Sequence, residues 1–157
     1  MQYMLIMRSS DEAIEASKEM PFEQIIEAMG KYNEAMIEAG VLVAGEGLSD
    51  PSEGFVVDFS HETPIVTDGP YGETKELFNG FWILEVASKE EAAEWASRCP
   101  LGPGSKLEVR RVTGVEDFPA DNEWIQKEAG WREEETRKQL ERAEREAAQA
   151  REGGARA

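Results

Sequence analysis

The chain has 157 residues, enough for one ordinary domain, and its 40% hydrophobic content can supply a core. A net charge of −16 repels nucleic-acid phosphate and anionic lipid and excludes both as expected partners. The one cysteine, Cys99, has no partner for an internal disulfide and points to a reducing cytosol.

The first apolar stretch, QYMLIMR (2–8), is preceded by no basic segment and followed by no small-residue cleavage site, so it reads as a strand and not a signal peptide. No apolar run approaches the roughly 18 residues of a membrane helix, and a cytoplasmic protein is expected. Pro21 opens a helix with an apolar stripe of Phe22, Ile25, Ile26, Met29, Met36 and Ala39, closed by Gly40. VLVAGEGL (41–48) is a second strand. GFVVDFS (54–60) and TPIVT (63–67) form a hairpin across His61-Glu62. GFWILEVAS (80–88) is the next strand. Ser88 and Glu91 then form a capping box for a helix that buries Ala92, Trp95, Ala96 and Cys99 and stops at Pro100. KLEVRRVTG (106–114) is the last strand. The order gives an α+β fold of ferredoxin-like type, β-α-β-β-α-β with an inserted hairpin strand.

YMLIM, VLVA and FWIL are apolar without alternation, as in strands buried on both faces. Two helices cover one face only. Exposing the other costs about 25 cal/mol per Å² of apolar surface, so a second copy of the same sheet is the expected cover and a homodimer is expected. The alternative cover is the C-terminal segment folded back.

Composition shifts near Pro119. We assign residues 1–119 to the folded domain and 120–157 to a charged helical extension. Residues 131–157 carry seven acidic and seven basic side chains, so the negative charge lies in the domain. Thr136, Leu140, Ala143, Ala147 and Ala150 make a thin heptad seam, with Trp124, Ile125 and Trp131 as an anchor at its start. Past Leu140 we expect a solvated helix that frays before Gly153-Gly154; pairing with a partner's tail is the alternative.

Few groups carry chemistry. There is no glycine-rich phosphate loop, and a single histidine, His61, placed on a turn, supplies neither a zinc site nor a triad. No cofactor and no metal are expected. Carboxylates remain. Glu46 lies in a strand between Gly45 and Gly47, which open space beside it. Asp68 ends a strand before the stiff Gly69-Pro70 corner, which aims it. Glu73 follows in a long loop closed by Leu77-Phe78. The plain alternatives are a turn-forming Asp68, bonded to nearby N–H groups, and a solvated charge run at Glu73.

VTDGPYGETKELFNGFWILEV (66–86) resembles the signature of DGPF-type proteins of the YCII-related family, with Tyr71 at the phenylalanine position. YMLIM, AGVLVAGEGL, the AxxWAxRCP pattern at Ala92–Pro100 and LEVRRV agree with it, over residues 1–115. The resemblance implies a dimeric α/β barrel built from ferredoxin-like units. It implies a small-molecule enzyme, with a His-Asp pair in some relatives. Here the histidine has no counterpart in the first helix or first two strands, and only Asp68 can be carried over. It also offers a second class, regulatory proteins associated with sigma factors. Two readings follow. One is an acid–base enzyme on an unknown small molecule using Asp68 with Glu46 or Glu73, since close carboxylates drive one pKa upward. The other is a non-catalytic ligand-binding or regulatory protein on the same scaffold.

Overall fold

Tyr3, Leu5 and Met7 alternate with Met4 and Ile6 along the first strand, and this alternation organises the sheet. The computed structural model describes residues 1–68, 77–102 and 104–154. In chain order its elements are β1 (Gln2–Ser9), α1 (Asp11–Lys18), α2 (Phe22–Glu38), β2 (Leu42–Gly47), β3 (Phe55–Asp58), β4 (Ile65–Asp68), β5 (Leu77–Glu85), α3 (Lys89–Ser97), β6 (Ser105–Arg111) and α4 (Glu123–Gly154). Four strands form one sheet in the order β2-β5-β1-β6, with β1 antiparallel to β5 and β6 and β2 antiparallel to β5. This α+β architecture is compatible with the ferredoxin-like plan. The hairpin β3–β4 does not extend the main sheet but forms a two-stranded sheet of its own. Its strands are shorter than the sequence pattern implies, and residues 59–64 connect them.

The two faces of the main sheet differ. Register places Leu5 opposite Trp82 and Val109, and Tyr3 opposite Leu84. Cross-strand partners share a face. On that face Tyr3, Leu5, Trp82 and Leu84 form the core with Tyr32 and Met36 of α2 and Ala92 of α3. The opposite face carries Met4 and Ile6 beside Ile83 and Phe81. These four are only partly buried. Glu46 of β2 pairs with Phe81 and so belongs to this second face.

Trp82 fixes how α2 meets the sheet. Its indole N–H donates to Asn33 Oδ1 at 2.9 Å, and its ring stands edge-on to Tyr32, with centroids 5.7 Å apart. The Tyr32 hydroxyl donates to the Trp95 carbonyl at 3.0 Å and ties α2 to α3. Burial pushes the Tyr32 phenol well above its usual range. The face that α2 buries therefore runs through Met29, Tyr32 and Met36, whereas Phe22 and Ile26, expected in the stripe, are exposed. Gly40, at φ +69°, ends this helix in the left-handed region where glycine is favoured.

At the start of α3, Ser88 Oγ accepts from the Glu91 N–H at 3.1 Å, as expected. The Glu91 carboxylate accepts from the Ala87 N–H, one residue before the cap. Of the four residues expected to be buried, Ala92 is in the core, and Trp95, Ala96 and Cys99 are half-buried and packed against it.

The chain divides by contacts into Met1–Val112 and Thr113–Ala157. In the second unit Asn122 precedes α4, and its Oδ1 accepts from the N–H groups of Trp124 and Ile125. The helix continues to Gly154, past the point where fraying was expected. The i,i+4 pairs Glu123–Lys127, Glu128–Arg132 and Glu134–Lys138 lie along it. Trp124 and Trp131 are 66% and 58% exposed. No helix is long and apolar enough to cross a membrane among the described residues.

Gly45 gives a direct test of this packing. A β-carbon there would lie 2.7 Å from Trp82 Cδ1, so the space beside the strand is already filled by the indole. Gly45→Ala must displace that ring, and a loss of about 1–3 kcal/mol in unfolding free energy is expected. Gly47→Ala, where a β-carbon meets nothing within 4 Å, serves as the control. Equal stability of the two variants in denaturant titration would show that Trp82 is not held there.

Candidate functional site

A pocket of about 440 Å³ opens on the helix side of the sheet, at the end of β1 where α1 begins. Its apolar wall includes Met7, Ile14, Met20, Ile25, Met29 and Leu101. The polar lining consists of Ser9, Ser49, Asp50, Asn79 and Ser105. It is built from the end of β1, α1, the first half of α2, the turn after β2, Asn79 of β5, the loop after α3 and Ser105 at the start of β6.

Local sequence explains each wall. Ser10 caps α1, its Oγ accepting from the Ala13 N–H at 3.2 Å, so the chain turns into a helix directly after the strand. This helix is absent from the sequence-based assignment. The signal was Ser10 followed by Asp11-Glu12, a cap with acids in the first turn. On β5, pairing shifts so that Met7 opposes Gly80 and Arg8 opposes Phe78, which leaves Asn79 as the extra residue of a bulge. Leu48 N–H donates to the Asn79 carbonyl at 2.9 Å and brings the turn after β2 to the pocket. Asp50 accepts from both the N–H and the hydroxyl of Ser52. These hydrogen bonds, the hydroxyl's first, hold its carboxyl below the usual carboxylate range.

Ser9 is the buried polar residue of the core region, at 8% exposure. It pairs in register with Ser105 across β1–β6, and both side chains line the pocket. Among the described residues, nothing hydrogen-bonds to the side chains of Ser9, Ser49, Asn79 or Ser105. Among the described residues Asp50 is the one ionisable residue in the lining. The arrangement suits binding of an apolar body with a few directed polar contacts. It offers no paired acid and base.

The carboxylates singled out from the sequence lie elsewhere. Asp68 ends β4 opposite Phe55, and it is exposed. Phe55, Val57 and Val66 share its side of the hairpin, with Phe55 67% and Val66 62% exposed. Glu46 is exposed on the edge strand β2. The two therefore stand in different sheets, and among the described residues no side chain hydrogen-bonds or ion-pairs with either. Glu73 lies outside the described residues, as do Gly69, Pro70 and Tyr71. Among the described residues no three His, Cys, Asp or Glu side chains converge as a metal-ligand set.

A small α+β domain with an antiparallel sheet and an apolar pocket under its helices is thus the class of protein defined here. The YCII-related domain model matches residues 1–118, and the chain belongs to that family. It is also similar to an uncharacterized protein of Rhizobium meliloti (strain 1021), 27% identical over 96 residues, which span 61% of this chain and 77% of the relative.

Cys99 adds a measurable marker near the pocket's loop wall. It is a free thiol, packed against the core, and burial pushes it up to about 11. A raised thiol pKa means little thiolate at neutral pH. Alkylation by iodoacetamide at pH 8 is expected to run at least about 100-fold slower than for a free cysteine and to climb until pH nears that value. Unfolding in guanidinium should restore the ordinary rate. A folded-state rate equal to that of free cysteine would overturn the burial.

Proposed function

We propose that the protein is a cytoplasmic homodimer that binds a small, largely apolar molecule in the pocket between the helices and the end of the sheet, without catalysing its conversion. The pocket carries this reading: its walls are apolar, its polar groups are few and uncharged apart from Asp50, and that carboxylate is already engaged by Ser52. A regulatory role, of the kind that couples a bound molecule to a stress or sigma-factor response, fits such a site. The free, poorly ionised Cys99 is in keeping with a reducing compartment.

The dimer rests on the second sheet face. Met4, Ile6, Phe81 and Ile83 form an apolar strip there. Two such faces packed together give the α/β barrel. The expected solution mass is twice the 17.5 kDa of the chain. Ile6→Glu, placing a charge in the strip, should shift the protein to monomer; a wild type that sediments as a folded monomer would overturn the arrangement.

A second reading has one observation in its favour. Asp68 and Glu46 each sit on an apolar surface that a second copy could cover. Burial at such an interface would shield these carboxylates from water, as an acid–base enzyme using Asp68 with Glu46 or Glu73 needs.

Binding of an environment-sensitive apolar dye separates the readings. Anilinonaphthalene sulfonamide should bind the wild type, and Ala28→Trp, which fills the pocket, should weaken it at least about ten-fold with the fold intact. Unchanged dye affinity in Ala28→Trp would remove the pocket as the site. Turnover of any bound small molecule, lost in Asp68→Asn, would favour the enzyme.

A further inference from the structure

The pocket's polar groups define which molecule it takes, an inference that rests on the pocket being the binding site. Ser9 and Ser105 are opposite partners on neighbouring strands, so their hydroxyls project to the same side of the sheet. Ser9 is more than nine-tenths buried as a residue, and its hydroxyl, unpaired among the described residues, is not a buried orphan but stays open on its pocket side. A molecule that fills the pocket takes that side from water and must hydrogen-bond to the hydroxyl in its place. Asn79 projects from the bulge into the same pocket, and its amide too is unengaged among the described residues.

Hydroxyls and an amide each donate and accept. They therefore match a group that does the same or accepts alone: a carboxamide, an alcohol or a ketone. Among the described residues the lining contains no Lys, Arg or His to neutralise an anion. Its single charge is negative, the Asp50 carboxylate, held ionised by Ser52. The whole chain adds a net −16. A carboxylate or phosphate would have to shed its water without gaining a counter-charge, the most expensive form of burial. The wall around these groups, Met7, Met20 and Met29 among others, is thioether-rich and adapts to irregular apolar shapes.

We propose that Ser9, Ser105 and Asn79 form a neutral polar floor that recognises an uncharged hydrogen-bonding head on an otherwise apolar small molecule and rejects the corresponding anion. The ligand class is thus a medium-length or cyclic amide, alcohol or ketone, not a fatty acid or a phosphate ester.

The test uses the full chain at pH 8 and three probes, decanamide, 1-decanol and decanoate, with affinities from isothermal titration calorimetry. Decanamide and decanol are expected to bind, and decanoate to bind at least about 100-fold more weakly. In the double variant Ser9→Ala, Ser105→Ala, decanamide affinity should fall about ten-fold or more, the loss of one to two neutral hydrogen bonds. Circular dichroism should show that variant folded. Ser105→Ala alone, at the less buried position, should show about three-fold loss and serves if the double variant does not fold. Decanoate binding as tightly as decanamide, or decanamide affinity unaffected by these serine changes, overturns the proposal while leaving the pocket reading in place. If none of the probes nor the dye binds, the pocket reading fails and this proposal fails with it.

Discussion

The structure depends on where one indole goes. Trp82 lies under α2, against the bare backbone of Gly45, edge-on to Tyr32 and hydrogen-bonded to Asn33. Those contacts set the distance and rotation of α2 over the sheet, and Tyr32 passes the constraint on to α3 through the Trp95 carbonyl. An indole is rigid and large, and it has one polar atom that must find an acceptor when buried. Its placement is therefore less degenerate than that of Leu5 or Met36 nearby. With α2 fixed, Ile25 and Met29 fall on the pocket wall, and the cavity is a consequence of the helix position more than of any residue lining it.

The strands were legible because their apolar runs are bounded by turn residues, and α3 was legible because Ser88 and Glu91 announce it. Other parts were hidden for physical reasons. α1 has Ile14 as its single large aliphatic residue, so no stripe marks it, and its cap Ser10 reads equally well as the polar end of a strand. The buried face of α2 differs from the apolar stripe because Phe22 and Ile26 are hydrophobic but lie off the contact line that Met29, Tyr32 and Met36 follow. Tyr32 carries no sequence signal of burial because its polarity suggests a surface position, while its hydroxyl reaches the Trp95 carbonyl.

The candidate site was less legible still. Sequence motifs draw attention to charged residues beside glycine and proline, and so to Glu46, Asp68 and Glu73. The pocket is made instead from serines, an asparagine and methionines spread from Met7 to Ser105. None of them stands out locally. Ser9 and Ser105 meet only because β1 and β6 are neighbours, and Asn79 turns toward them only because a bulge interrupts pairing between Met7 and Arg8. Such a site is a product of topology, and a linear motif does not record it.

The alternation along β1 gives this strand two unrelated duties at adjacent positions. Leu5, Met7 and Ser9 serve the helices and the pocket, while Met4 and Ile6 belong to the open face. Substitutions can therefore tune one duty without touching the other. Insertions cannot. One added residue within β1 would reverse every side chain beyond it, burying what faces outward and exposing what lines the cavity, so both duties would fail together. Evolution of this strand is free in letters and closed in length.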